Sequence, residues 1–378
     1  MRVVNNGNQY HVYNNSVQLF NGLPKGVYQV EFDEMTGYSL SQHKDMEVSE
    51  KVYGVHIDKV NKVIKSFERF SRSLGVILSG DKGIGKSLFA KLLCIEGMNK
   101  NYPVVIVNGF TPGIAQFIDS MDQQMIVLFD EFDKTFKSND KVDLQAQMLS
   151  LFDGVSMNKK LFCVTCNSLS GLNDFLVNRP GRFHYHFRFD YPDAAQIEQY
   201  LMDHVIPEKH GEIKKVVEFA KKVQLNYDCL RAISFEINIS DTFEDAISDL
   251  NIIRDQYGSK TNMYLCFDDG TRMKETECWV DMFDDSDTNM SFGETSEANC
   301  DYINLTFTPT DAVWSEAHGG YFIPASKLKI ITDEYVMRED SRMMTKHKDY
   351  VLAHMPKHVT GMVLRTVFNR NAIHYFKG

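Results

Sequence analysis

Between about Val52 and Phe189, short apolar runs alternate with stretches of helical spacing. Within 57–70 the apolar residues Val60, Val63, Ile64 and Phe67 recur three and four apart, which predicts a helix with one buried stripe. Strands are predicted at 75–79, 104–107, 125–129, 161–165 and 184–189, with helices between them at 86–99, 114–119 and 144–152. Strands alternating with helices imply a mostly parallel sheet covered on both faces. The first 50 residues read differently. Alternating runs such as Val27-Tyr-Gln-Val-Glu-Phe32, broken by Gly, Asn and Pro24, predict strands and turns. Beyond Pro192 the pattern is helical to about Ile253, with Asp193 as N-cap of a helix over 194–205 and further helices at 213–223 and 227–238. Strands return at 263–267, 302–307, 321–323, 327–331 and 362–368. The expected order is a β-rich N-terminal arm (1–50), an α/β core (51–191), a helical segment (192–257) and a β-rich C-terminal domain (258–378), with no internal repeat.

Composition narrows the class without changing this picture. With 43% hydrophobic and 12% aromatic residues and 9 prolines, disorder and low complexity are excluded. A net charge of −10 argues against a generic nucleic-acid footprint. Residues 275–301, however, hold nine acids and no base, which leaves the remainder of the chain near −1. That segment reads as a solvated loop, or else as a partner- or cation-binding one, although no EF-hand spacing is present. A local basic surface elsewhere stays open. Seven scattered cysteines do not form a disulfide framework and suggest a reducing compartment. Cys163 and Cys166 have C-x-x-C spacing, but lie three apart on a predicted strand and so face opposite ways, unlike metal ligands. His184 and His186 share a strand face with no third ligand nearby, and read as ordinary strand histidines. The N-terminus shows no signal-peptide core and the longest apolar runs are strand-sized, so a cytoplasmic protein without membrane segments is expected.

The chemistry-bearing motifs lie in the α/β core. After its first strand comes Gly80-Asp-Lys-Gly-Ile-Gly85-Lys86-Ser87, an intact G-x-x-x-x-G-K-[ST]. Glycines let backbone N–H groups wrap phosphates, and the following helix aims its positive dipole end at them. Gly80, Asp81, Lys82, Gly83, Ile84, Gly85, Lys86, Ser87 and Leu88 are thus candidate ATP contacts, with Lys86 on the β/γ-phosphates and Ser87 on Mg²⁺. The run Met125-Ile-Val-Leu-Phe-Asp130-Glu131 is an apolar strand ending in acids, at the sheet edge where such folds bind ligands. Asp130 would hold Mg²⁺ and Glu131 would polarise the attacking water, while Asp133 and Lys134 read as structural or solvent-exposed. The strand 161–166 ends in Asn167, able to hydrogen-bond the γ-phosphate or its water. Asn178-Arg179-Pro180-Gly181-Arg182 places two arginines on a turn, and arginine's planar fork matches phosphate oxygens.

With these four elements in order, residues of about 52–253 resemble the AAA+ ATPases, and more closely their AAA branch. The most specific piece runs from Leu149-Ser-Leu-Phe-Asp-Gly154 through Asn167 to Arg182, and is similar to that branch's second region of homology. The resemblance implies a P-loop core with a helical lid (192–257) between β-rich flanks. It makes Asn167 a sensor and Arg179 and Arg182 arginine fingers acting on a neighbour's nucleotide. Tyr53-Gly54 falls where the family contacts adenine. The wording of 74–83 is also similar to AAA proteins of bacteriophage genomes, which would place the protein in host cytoplasm. Implied are ATP and Mg²⁺, a homo-oligomeric ring, most simply a hexamer, and remodelling of a protein or protein complex. A nucleic-acid-directed ATPase and a nucleotide-gated scaffold are the rival readings. Two departures stand out: the connection from Val107 to Met125 leaves only Phe110 as a pore aromatic, with packing the rival role. Where relatives carry a second sensor arginine, this chain has Tyr227-Asp228-Cys229, with Arg231 one turn on.

Overall fold

Four apolar runs, 74–79, 104–107, 125–129 and 160–166, become inner strands of one sheet because each is covered on both faces, while the run at 183–188 becomes an edge strand. The computed structural model describes the chain apart from residues 7–8, 45, 49–50, 54–55, 138–142, 154–158, 178, 253–258, 294–301, 332–358 and 368–378. Two compact units are present, residues 1–196 with 226–230, and residues 197–225 with 231–378.

The first unit opens with an antiparallel hairpin of β1 (Arg2–Asn6) and β2 (Gln9–Tyr13). There follow β3 (Val27–Asp33), β4 (Gly37–His43), α1 (His56–Arg69), β5 (Leu74–Ser79), α2 (Lys86–Asn99) and β6 (Val104–Val107). Next come α3 (Ile114–Ser120), β7 (Met125–Phe129), α4 (Phe132–Thr135), α5 (Leu149–Phe152), β8 (Lys160–Cys166) and β9 (Phe183–Arg188). The sheet order is β4-β3-β6-β7-β8-β5-β9, parallel throughout except for β4 at one edge. β3 and β4, expected in a flanking arm, are therefore part of this sheet, with Val27 and Tyr28 of β3 buried.

Alternation sorts each inner strand between two cores. Val127 and Phe129 of β7 and Phe162 and Val164 of β8 join one cluster, with α3, α4 and α5. Val76 and Leu78 of β5 and Leu161 of β8 join the other, with α1 and α2. Cys163 and Cys166 fall in different clusters, on opposite faces as their spacing requires. The helix expected over 144–152 is instead a 3-10 turn at Ala146–Met148 leading into α5. There the buried Gln145 side chain donates to Gly171 O (2.8 Å) and accepts from Asn173 N (2.7 Å), so side-chain bonds shape the segment.

The second unit holds most of α6 (Ala194–His204), α7 (Ile213–Ala220), most of α8 (Tyr227–Ile239) and α9 (Phe243–Ser248). Its strands are β10 (Ser259–Phe267), β11 (Arg272–Val280), β12 (Thr288–Gly293), β13 (Tyr302–Phe307), β14 (Val313–Ser315), β15 (Gly320–Pro324), β16 (Lys329–Ile331) and β17 (Val359–Thr366). They form two antiparallel sheets, β11-β10-β17-β15-β14 and β12-β13-β16, sharing one apolar core. The reading of 275–301 as a loop is corrected here: β11 reaches Val280 and β12 covers Thr288–Gly293. Met290 and Phe292 alternate into the core between polar Asn289 and Ser291, a strand pattern that the acid count obscured. Residues 294–301 lie outside the described chain.

Candidate active site

β5 ends at Ser79, and the chain turns through residues 80–85 into α2. Two of the turn's glycines are irreplaceable on local grounds. At Gly80 (φ +142°) an added Cβ would lie 2.4 Å from Phe189 O, and Gly85 (φ +98°) occupies the left-handed N-cap of α2. The first N–H groups of a fourteen-residue helix then face the loop's interior, an anion site by geometry. Lys86 crosses this cradle: its Nζ donates to Gly80 O and Asp81 O, both at 2.6 Å, and to Asn167 Oδ1 at 3.0 Å. Burial pushes its ammonium below the ordinary lysine range, while Cys166 and the nearby Asp81, Asp133 and Asp130 pull it back. Ser87 is exposed at the start of α2, Ile84 is buried beneath the loop, and Leu88 is half-buried.

β7 and β8 bring the acids alongside. Asp130 follows β7, and its Oδ1 accepts the Thr165 hydroxyl at 2.6 Å. The same hydroxyl accepts the Glu131 N–H at 2.8 Å, so one buried side chain fixes both acids. Glu131 itself sits in the left-handed region (φ +48°, ψ +46°), a costly conformation for a residue with a Cβ and one met at functional turns. Its carboxylate pairs with Lys134 Nζ at 2.5 Å, which with smaller contributions from Asn167 and Lys82 holds it below the usual carboxylate range. Lys134 is exposed, as expected, and is also the cation on the candidate base. Asp133 is structural in a specific way: its Oδ2 accepts the N–H groups of Asn167 (3.1 Å) and Ser168 (3.3 Å), fixing the turn that presents Asn167. Asn167 Nδ2 is buried without a partner among the described residues.

Tyr53 is buried and stacks on Tyr227, their ring centroids 6.4 Å apart. Its carbonyl holds His56 Nδ1 at 2.9 Å, and His56 Nε2 lies 3.0 Å from where a Gly85 Cβ would be. Burial keeps His56 below its usual pKa. Gly54 lies outside the described residues. The start of α8 grips the loop: Tyr227 N donates to Gly83 O (2.9 Å) and Asn226 Nδ2 to Lys82 O (3.1 Å). The Tyr191 hydroxyl is pushed up to about 12 by burial and by the neighbouring Asp81 of the loop.

The two arginines lie elsewhere. They precede β9, whose Phe183 is in register with Gly75 of β5, whereas the loop begins at Gly80 beyond the other end of that strand. Five residues of extended chain separate those points, roughly 16 Å. Arg182 is engaged by its own chain: Nε bonds Asp153 Oδ1, Nη2 bonds Asp153 Oδ2 at 2.9 Å, and Nη1 donates to Phe175 O at 2.7 Å. Arg179 is exposed, its guanidinium 5.5 Å from the Phe175 ring centroid.

Other candidates resolve by packing. Phe110 is half-buried and meets Phe136 edge-on at 6.0 Å. His186 Nε2 bonds Ser79 Oγ at 2.7 Å, and burial with the neighbouring Arg188 lowers its pKa to about 4. Sequence reasoning missed Thr165 and His56, and gave Asp133 as structural or exposed without its partners. Only Thr165 carried a signal, as a lone hydroxyl in an otherwise apolar strand.

Residues 76–191 match the model of the ATPase family associated with various cellular activities (AAA). The central parallel sheet and its loop agree with that match, so the matched segment is an AAA-type ATPase domain within a chain that also holds β-rich regions. The match stops short of α6 and the β-rich remainder. No curated protein matches the chain. No described helix is long and apolar enough to cross a membrane.

Proposed function

We propose that the chain binds ATP with Mg²⁺ on residues 80–88 and hydrolyses it within a ring of copies, using the energy to remodel a protein or protein complex. The carrying observation is convergence at one sheet edge: Lys86 on Asn167, and Asp130 and Glu131 on one Thr165 hydroxyl. The donors offered to a hard cation, the Ser87 hydroxyl and the Asp130 carboxylate, are oxygens of the kind Mg²⁺ takes, and Thr165 fixes the carboxylate. Bound there, the ion would neutralise phosphate charge.

The chain's own groups then have definite tasks. Backbone N–H groups of the loop hold phosphate oxygens, and Lys86 exchanges two carbonyls for the β/γ-phosphates. Asn167, with an unspent donor in Nδ2, positions the attacking water. Glu131 accepts the water's proton once its carboxylate leaves Lys134, since a base held by a cation is a weaker base. Tyr53 and Tyr227 are the aromatic pair on the adenine side. Arg179 and Arg182, a strand's length from their own loop, can serve only a neighbour's nucleotide, which supports shared sites and hence a ring. A nucleic-acid-directed ATPase is the second reading, favoured by one face of the second unit's larger sheet.

The test is Glu131→Gln. It should bind a fluorescent ATP analogue as the unaltered protein does and release phosphate at least tens of times more slowly. Unaltered turnover would rule out Glu131 as the base.

A further inference from the structure

The larger sheet of the second unit buries one face; on the other, Cys266 and Val363 are covered while charged and aromatic residues around them reach solvent. Along β10, Met263 and Leu265 enter the core, while Lys260, Asn262 and Tyr264 stand in the opposite phase. Register places Trp279 across from Lys260, Lys274 from Tyr264, Arg272 from Cys266 and Arg365 from Asn262, so all share the outer face. Arg272, Lys274 and Arg365 are exposed, and Trp279 is 54% exposed, unusual for so large a ring. Cations and rings interleave: Arg365 and Lys274 stand 5.1 and 5.9 Å from the Tyr264 ring centroid, and Lys260 stands 5.9 Å from that of Trp279. Among the described side chains of this face on β10, β11 and β17 there is no acid. Asp268 and Asp269 sit in the tight turn joining β10 to β11.

We propose that this face binds single-stranded nucleic acid. In a chain of net charge −10, four cations gathered on three adjacent strands are a local reversal of sign suited to a polyanion. Charge alone would fit an acidic protein equally well. The rings decide between them, because an exposed indole and a phenol set among cations offer stacking platforms for unpaired bases. In duplex the base faces are already stacked and cannot use them. A base settling on Tyr264 displaces one cation, which then meets phosphate. The face and the nucleotide loop belong to different units and share no residue, so this inference does not depend on the assignment of Glu131 or the arginines.

The experiment is fluorescence anisotropy of the full chain with labelled dT20, rU20 and a 20-base-pair duplex. Single strands should bind more tightly than duplex, and the dT20 and rU20 arms decide between DNA and RNA. If three or four phosphates are engaged, affinity should fall roughly 20- to 50-fold between 50 and 200 mM salt. Trp279→Ala should weaken binding roughly five- to hundred-fold with its salt dependence intact. Lys274→Gln with Arg365→Gln should instead flatten the salt dependence. ATP turnover without nucleic acid should be unchanged in all of these variants, which shows that they fold. No binding of either single strand at 50 mM salt would overturn the proposal. So would binding indifferent to these substitutions, or an equal preference for an acidic polypeptide that ignores Trp279.

Discussion

Thr165→Val isolates the hydroxyl that joins the two acids. Valine keeps the shape of threonine, so no cavity opens in β8, yet two hydrogen bonds vanish, 2.6 Å to Asp130 Oδ1 and 2.8 Å from Glu131 N. A hydrogen bond to a charged acceptor contributes about 1.5–3 kcal/mol, and leaving a buried N–H unpaired costs about 1–3 kcal/mol. Because Asp130 keeps access to water, a stability loss of about 2–4 kcal/mol is expected by urea unfolding. The catalytic effect has a separate origin. Glu131 adopts its left-handed conformation with its N–H tied to Thr165, and a carboxylate displaced by ~1 Å costs on the order of a hundredfold in rate. Phosphate release should therefore fall roughly 30- to 100-fold at saturating ATP, while Thr165→Ser stays within a few-fold of the unaltered protein. A folded Thr165→Val variant with unaltered kcat would refute the assignment of Thr165 as the group that positions Glu131.

The arginines and one histidine give further checks. Arg179→Ala should lower turnover by on the order of a thousandfold with melting unchanged, whereas Arg182→Ala should also lose about 1 kcal/mol of stability, modest because Asp153 is 42% exposed. Mixing Arg179→Ala with Lys86→Ala should restore some turnover, and a mixture as inactive as its components would contradict shared sites. His186 has a folded pKa of about 4 against an ordinary 6.5, so the unfolded chain binds the proton first. Its contribution is complete above pH 6.5 and is lost as pH falls towards 4, at most about 2 kcal/mol given its partial exposure. Urea titrations across that window should show a shallower decline for His186→Gln, and identical slopes would contradict the assignment.

Local rules made the α/β core legible in the sequence. Runs such as 125–129 and 161–165 are apolar at every position because both faces of a central parallel strand are buried. The loop from Gly80 to Ser87 is legible because phosphate chemistry demands those residue types at that spacing. Nothing local marks that Lys86 reaches Asn167, that Thr165 ties Asp130, or that Asp133 fixes Asn167. Each of these depends on which strands lie side by side. Sheet order likewise put β3 and β4 into the core sheet, because Val27 pairs with Val104 across a long separation in sequence.

By itself, then, the sequence determined the strands β5 to β9, the helices α1 to α3, and the Gly-rich turn from Gly80 to Lys86, all properties of contiguous residues. Tertiary structure alone decided which of these meet. Parallel pairing aligned the ends of β5, β7 and β8 into one site and set the arginines at the far end of β9. Tertiary pairing also turned an acid-rich stretch into strands and gathered scattered cations and rings onto one face. The physical reason is that hydrogen-bonded register fixes neighbours across strands, and a register spanning dozens of residues is not written in any short run of sequence.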